Sequence, residues 1–329
     1  MNLPRIGISL GDPGGIGPEV ILKALKNKAA LPLASYVLFG SLWLVQEWNQ
    51  RLGIKFSFTK EESDTQPNIA SVSLHEVEFP LFTLKPGIPD RNNGKASFLY
   101  FKKALEQAQK GNLQAVVTAP VAKRSWSLAD VKWAGHTDYL SQLYPHAIMF
   151  FWSKSLKVAL FSHHVSLQQA LKKITRKNLL DFIQNLHASL KKAGKKNFHF
   201  FVAGLNPHGG EEGLLGKEES ETILPAIQMA KKTGIPVSGP HVPDVIFRTA
   251  LNQEDKIVIA LYHDQGLIPF KLAAFENGVN VTLGLPFIRT SPDHGTAFDI
   301  AGQGTASQES MVEALKLAWD FISSSKKEG

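Results

Sequence analysis

"DKIVIALYHDQG", residues 255–266, decides the fold. Its five central residues, Ile257–Leu261, are all apolar, without the polar alternation of a strand that shows one face to water. A strand of that kind has both faces covered, which is the situation in a parallel sheet packed between helices. It ends abruptly at His263 and Asp264, where a glycine and a helix-like pattern follow. Seven further runs have strand character: Ile6–Leu10, Tyr36–Phe39, Ser71–Leu74, Ala115–Thr118, Val158–Phe161, Phe198–Ala203 and Val279–Leu283. Between them, Lys95–Gln109, Lys177–Lys192, Lys217–Lys232 and Glu309–Ser323 carry apolar residues at helical spacing. Strands alternating with helices predict an α/β protein with a mostly parallel core sheet. Tyr36–Phe39 should lead through a turn into a helix capped by Ser41. The last residues, "SSSKKEG", have the composition of a frayed end.

Composition narrows the chemistry. The chain has 329 residues, 43% of them apolar, and no cysteine. Disulfides, thiolate catalysis and Cys-ligated metals are therefore excluded, and any metal must be held by His and carboxylate. The net charge of +7 is spread over lysine pairs on helix surfaces, without the clustered, aromatic-interleaved pattern of a nucleic-acid face. It suits anionic small molecules instead. The N-terminal stretch has too short an apolar run for a secretory signal, and the uncharged segment 29–46 is broken by Pro32, Ser35, Gly40 and Ser41. The expectation is a cytoplasmic protein without membrane or nucleic-acid partners.

Three strand-like runs end in histidine. "LKVALFSHH" ends at His163 and His164, "NFHFFVAGLNPH" at His208, and "DKIVIALYH" at His263. Ligands gather at the carboxyl ends of strands in open α/β sheets, and three such imidazoles can converge as an open metal site. Asp264 and Asp244 are candidates for the carboxylates that orient the rings, or ordinary helix caps. A second set is built for anions. "WAGHTDYL" places His136 and Thr137 at a helix start, and "LIPFKLAAFENGVNVTLGLPFIRTSPDHG" strings Lys271, Asn280 and Arg289 through apolar sequence. "GDPGGIGPE", residues 11–19, fits neither a P-loop nor a Rossmann fingerprint. "SPDHGTAFDIAGQGTA", residues 291–306, is a backbone-rich loop that can wrap an adenosine without one.

"GDPGGIGPE", "TAPVAK", "AGHTDYL", "GLNPHGGEEG", "YHDQGL", "GVNVTLGLPFIRTSPDHGTA" and "IAGQGTA" together resemble the 4-hydroxythreonine-4-phosphate dehydrogenases of vitamin B6 biosynthesis, over nearly the whole chain. The wider superfamily is similar to isopropylmalate and isocitrate dehydrogenases. The resemblance implies two α/β/α lobes with mixed, mostly parallel sheets and a cleft between them, not the Rossmann fold. It divides the chain into a cofactor-side lobe (1–125 plus 290–329) and an inner lobe (126–289) with metal ligands and dimer contacts. It implies His164, His208 and His263 as ligands of one divalent ion (Zn, Co or Mg), with His136, Thr137, Lys271, Asn280 and Arg289 binding substrate. His294, Gly295, Thr296, Ala297 and Asp299 would hold NAD or NADP. The implied reaction is oxidation of 4-phosphohydroxy-L-threonine to a β-keto acid that loses CO₂, in a homodimer with its active site near or across the interface. The alternatives are a dehydrogenase for a phosphorylated threonate or erythronate or a cis-diol carboxylate, and a three-His metallohydrolase. Asp264, Lys123 or a metal-bound hydroxide would serve as base. Two departures stand out. The family has Thr-His-Leu-Pro where this chain has "SHHVSL", so His163 competes with His164, and strand alternation should point His163 the other way. "TAPVAK" lacks the asparagine that usually precedes the lysine.

Local apolar excess in "AIMFFWS" (147–153) and "NFHFFVA" (197–203) fits either a dimer surface or strands covered on both sides.

Overall fold

The computed structural model describes residues 3–60 and 71–326. Of the C-terminal "SSSKKEG", Lys327–Gly329 lie outside the described residues, while the last helix runs from Glu309 to Lys326. In chain order the strands are β1 (Arg5–Ser9), β2 (Ser35–Gly40), β3 (Thr59–Lys60), β4 (Ser71–Glu76), β5 (Ala115–Thr118), β6 (Ile148–Trp152), β7 (Lys157–Leu160), β8 (His199–Ala203), β9 (Val237–His241), β10 (Lys256–Ala260), β11 (Val279–Leu283) and β12 (Ile288–Pro292). The chain divides into two compact units, Met1–Pro145 with Leu285–Ser323, and His146–Gly284 with Ser324–Gly329.

In the first unit the strand order is β3–β4–β2–β1–β5–β12, parallel throughout. Every residue of β1, β2 and β5 is buried, as their unbroken apolar character requires. The helix Arg91–Gln109 covers them and packs tightly on the helix Lys123–Leu128, where Gly94 lies against the Ser125 carbonyl with no room for a side chain. The helix His136–Leu143 also belongs to this unit. Ser41 sits at the N-cap of the helix Leu42–Leu52 but does not cap it. Its hydroxyl donates instead to the Val77 carbonyl (2.7 Å) and meets the Tyr100 hydroxyl (2.8 Å), a buried competition that outweighs the local cap.

The second unit is mixed. Its order is β11–β6–β7–β10–β8–β9, with β6 antiparallel to both neighbours and β7, β10, β8 and β9 parallel. Met149, Phe151, Val158, Leu160, Val258 and Ala260 share one core with Leu267 and Phe270 from the helix His263–Ala274. In the stretch 147–153, Ile148–Phe151 of β6 are buried, while in 197–203 β8 leaves His199 and Phe201 half-buried. The segment Lys217–Lys232 is not one regular helix: Glu219–Ile223 forms a π turn before the α-helix Leu224–Lys232. Pro225, which has no N–H for the carbonyl four residues back and crowds it, is the physical reason for widening there. Among the described residues no helix is long and apolar enough to cross a membrane.

The turn leaving β1 depends on Gly11, whose φ of +72° is left-handed and whose added Cβ would lie 2.5 Å from the Pro120 carbonyl oxygen. Both the backbone strain and the clash fall on main-chain atoms that cannot step aside. Gly11→Ala should destabilise the protein by about 2 kcal/mol, measured as a lowered urea midpoint at unchanged slope.

Candidate functional site

In the first unit the carboxyl ends of β1, β5 and β12 lie side by side because those strands are adjacent and parallel. The Asp12 amide donates to the Pro120 carbonyl at 2.9 Å, tying the loop after β1 to the loop after β5. Arg289 sits within β12, only 2% exposed. One of its guanidinium nitrogens donates to Thr118 Oγ1 at 2.6 Å and faces His136 Nδ1 at 3.5 Å. Burial lowers its pKa to about 10, so it stays charged at neutral pH. Desolvation first, and the Arg289 charge second, hold the His136 imidazole far below its ordinary pKa. A guanidinium can only donate, so Nδ1 meets it as a lone pair and the ring proton belongs on Nε2. That Nε2 is buried without a hydrogen-bond partner. Phe101 (ring centres 4.3 Å apart) and Trp126 (5.5 Å) wall the imidazole in. A buried cation beside a neutral N–H donor suits an anionic oxygen ligand. Thr137 stands next in the same first turn, half-buried.

The stretch 291–306 is fastened to the loop 11–19. Ile16 N–H donates to the Thr296 carbonyl (2.9 Å), and Ala306 N–H to Glu19 Oε1 (2.9 Å). Lys23 Nζ reaches the Gly304 and Ala306 carbonyls, each at 2.8 Å. Gly15 is needed for this approach, since a Cβ there would lie 2.9 Å from Thr296 Cβ. His294, Thr296 and Ala297 are half-buried and Gly295 and Asp299 exposed; a Cβ at Gly295 would meet nothing within 4 Å. Open backbone N–H and C=O groups beside a carboxylate, which accepts from hydroxyls, suit a ribose or an adenine. Asp12, at the root of the loop 11–19, is fully buried, and burial raises its carboxyl to about 6.

In the second unit β7, β10 and β8 are adjacent and parallel, so the loops bearing His163/His164, His263 and His208 leave the same edge of their sheet. His163, His164, Tyr262, His263 and Asp264 line a cavity of about 280 Å³. The His164 and His263 ring centres are 5.8 Å apart, and Asp264 Oδ1 lies 2.7 Å from His263 Nδ1. Two imidazoles sharing one ion at the usual metal–nitrogen distance of about 2 Å stand at a comparable separation. Burial, and then the neighbouring His164, Lys173 and His263, lower His163 to about 4, so its ring is neutral. Strand alternation does not separate the two adjacent histidines: β7 ends at Leu160, and both rings line the cavity from the loop beyond it. His208 is not among the cavity residues, and among the described residues no group of three or more His, Asp or Glu is gathered closely enough to hold a metal. The pair His164 and His263, with the carboxylate behind it, fits an ion; His208 is not gathered with it.

His208 instead occupies a left-handed turn. Five successive residues, His208–Glu212, have φ between 44° and 83°. Three of them are not glycine, and each costs roughly 1–2 kcal/mol in that conformation, a strain that accumulates at functional sites. Lys271 lies half-buried on the helix His263–Ala274, and Asn280 in β11 opposite Phe151. Asp264 is an exposed carboxylate already engaged with His263, which suits ring orientation. Lys123 is exposed at the first turn of its helix, as is Asp244 in the helix Pro243–Ala250. Sequence reasoning passed over Thr118 and Glu19. "TAPVAK" and "GIGPE" contained them, but only the fold shows what each one holds.

The family model for the pyridoxal phosphate biosynthetic protein PdxA matches residues 33–318. A "Putative D-threonate 4-phosphate dehydrogenase" of Clostridium botulinum (strain Langeland) is 39% identical, covering 99% of this chain and 99% of that protein. A protein of the same name from Oceanobacillus iheyensis is 40% identical over 96% of this chain and 97% of its own length. Among solved structures, a 4-hydroxythreonine-4-phosphate dehydrogenase from Klebsiella pneumoniae superposes with a TM-score of 0.82 at 34% identity, covering 97% of this chain and 99% of that one.

The raised Asp12 carboxyl has a definite sign. The folded state holds this proton up to about pH 6, whereas an unfolded aspartate releases it near 3.8. Its contribution to stability is therefore present below about pH 3.8 and lost as pH rises through 6. Asp12→Asn should flatten that part of the profile, so the difference in thermal midpoint between variant and wild type grows in the variant's favour from pH 4 to 7. A constant difference would place the Asp12 carboxyl in an ordinary environment.

Proposed function

Because the chain belongs to the pyridoxal phosphate biosynthetic protein PdxA family, we propose that it is a nicotinamide-dependent dehydrogenase acting on a small 4-phosphorylated hydroxy acid. The observation that carries this reading is the buried, charged Arg289 beside the neutral His136 N–H donor, a pairing made for a dianionic or carboxylate group. D-threonate 4-phosphate is the favoured substrate, from relatives 39–40% identical over nearly their whole length. The second reading, 4-phosphohydroxy-L-threonine, is favoured by the solved structure at 34% identity. The two acids differ at C2, a hydroxyl in one and an ammonium in the other, while the C3 alcohol and the phosphate are common to both.

In the first unit, Arg289, His136 and Thr137 bind and orient the anionic end of the substrate, with Thr118 holding the guanidinium in place. The stretch 294–299, tied to Ile16 through the Thr296 carbonyl while Glu19 and Lys23 hold Gly304 and Ala306 beyond it, would serve the dinucleotide. In the second unit, His164 and His263 would hold a divalent ion, Asp264 fixing the His263 tautomer, and Lys271 and Asn280 would offer further polar groups. A nicotinamide held at residues 294–299 would supply the hydride acceptor for the C3 alcohol, and a divalent ion held by His164 and His263 would supply Lewis acidity toward the C3 oxygen. Asp264 or Lys123 takes the C3 hydroxyl proton. The exposed stripe Ile268, Leu272 and Phe275, at 61, 86 and 74% exposure and at i, i+4, i+7 spacing, favours a homodimer.

Turnover with each acid and NAD⁺ or NADP⁺, followed by nicotinamide absorbance, tests the reaction: D-threonate 4-phosphate should give the higher kcat/KM. Phosphate release without nicotinamide reduction would point to a metallohydrolase instead. Arg289→Lys keeps the charge but loses the fork, and should raise substrate KM roughly ten- to hundredfold with little change in the KM for nicotinamide. Phe275→Glu should shift the sedimentation coefficient from dimer to monomer. Sedimentation of wild type as a monomer at micromolar concentration would remove the assembly.

A further inference from the structure

The turn that carries His136 and Thr137 has little of its own to hold it. The helix His136–Leu143 starts at Gly135 without a side-chain cap, and only His136 and Leu140 of its eight residues are buried. The residues before it, 131–135, form neither helix nor strand. What holds this segment is aromatic. Phe98 and Phe101 stand three residues apart on the helix Arg91–Gln109 and so share one face of it. Phe101 packs on the His136 ring and meets Tyr139 edge-on, with ring centres 5.5 Å apart. Phe98 stacks on Trp133, before the turn, with centres 5.4 Å apart and planes 23° apart. It meets Tyr139, after the turn, at 5.7 Å and 75°. Its third neighbour, at 5.4 Å and 82°, is Trp126, the indole that walls His136. Trp133 and Tyr139 also meet each other edge-on at 4.6 Å. The strap is then folded back on the helix: Ala134 N–H donates to Asp138 Oδ2 (3.0 Å), and Trp133 Nε1 to Gln142 Oε1 (2.7 Å).

Burial of apolar area accounts for Phe101 and Trp126, which are fully buried. It does not account for Phe98, Trp133 and Tyr139, which stay half-buried at the surface. Their stacked and edge-on arrangement is the one in which ring faces and edges attract beyond what area alone supplies. Phe98 touches the strap before the turn, the helix after it and the wall beside it. We infer that Phe98 is a positioning residue for the anion site, fixing Trp133 and Tyr139 and through them the turn that presents His136 and Thr137 to the substrate. The inference rests on the reading of Arg289, His136 and Thr137 as substrate groups.

The test compares wild type, Phe98→Ala, His136→Ala and the double variant. It measures the KM for D-threonate 4-phosphate and for 4-phosphohydroxy-L-threonine, the KM for the dinucleotide, and calorimetric binding of each acid without dinucleotide. Phe98→Ala should weaken binding of the acid, and raise its KM, roughly tenfold with the dinucleotide KM unchanged. Loss of packing alone would lower the active fraction, and with it kcat, and leave both KM values where they were. Phe98→Tyr keeps the ring and should restore most of the affinity. In the double variant the losses should fall short of adding, because Phe98 acts through the turn that carries His136. Wild-type affinity in Phe98→Ala while His136→Ala is weakened overturns the inference alone. So do fully additive losses, an equal rise in the dinucleotide KM, or a Phe98→Tyr no better than alanine. Wild-type affinity in both His136→Ala and Arg289→Lys removes the substrate reading, and the inference with it. If far-UV circular dichroism shows Phe98→Ala unfolded, Trp133→Leu removes the stacked partner at the surface. It should weaken binding of the acid in the same direction, and wild-type affinity there overturns the inference.

Discussion

Parallel pairing of strands buried on both faces is the constraint from which the rest follows. In the first unit it brings the carboxyl ends of β1, β5 and β12 together; in the second it does the same for β7, β10 and β8. A parallel strand cannot return by a hairpin, so each must be followed by a loop and a helix. The loops of neighbouring strands consequently leave the same edge. Gly11–Asp12, Thr118–Pro120 and Pro292–His294 are neighbours for this reason, and so are the His163/His164 and His263 loops. Gln265 reinforces the second set, donating to the Gly204 carbonyl at 2.8 Å and accepting from Leu261 N–H at 2.7 Å.

On that frame the two units carry different electrostatics. The first buries a permanent cation, Arg289, next to a histidine that cannot afford a second positive charge. The His136 ring is walled by Phe101 and Trp126, and Arg289 is itself buried, so the charge interaction between them is little screened by water. The second unit sets the exposed carboxylate of Asp264 beside His263, and burial together with its neighbours lowers His163.

Strain is concentrated in the same loops. His164, His208 and Ala297 all have left-handed backbone although none is glycine, and each lies in or beside a stretch expected to bind a ligand. Elsewhere the left-handed positions are mostly glycine, as at Gly11, Gly53 and Gly302. Left-handed backbone at a residue other than glycine carries strain, and such strain clusters at functional sites.

The sequence by itself determined the α/β class and the strand cores. Unbroken apolar runs such as Ile257–Leu261 are decided locally, by the need to keep both faces of a strand from water. It also determined that any metal must be held by nitrogen and oxygen. Tertiary structure decided the remainder. β9 and β12 were not legible because "VSGPH" and "IRTSP" lack apolar patterning, and they are strands only because neighbours pair with them. Ser41 fails to cap its helix because Val77 and Tyr100, 36 and 59 residues away, offer it better bonds. The relation of Arg289 to His136 spans 153 residues, and that of Glu19 to Ala306 spans 287. No local propensity reports contacts at such separations; packing alone brings the partners within reach.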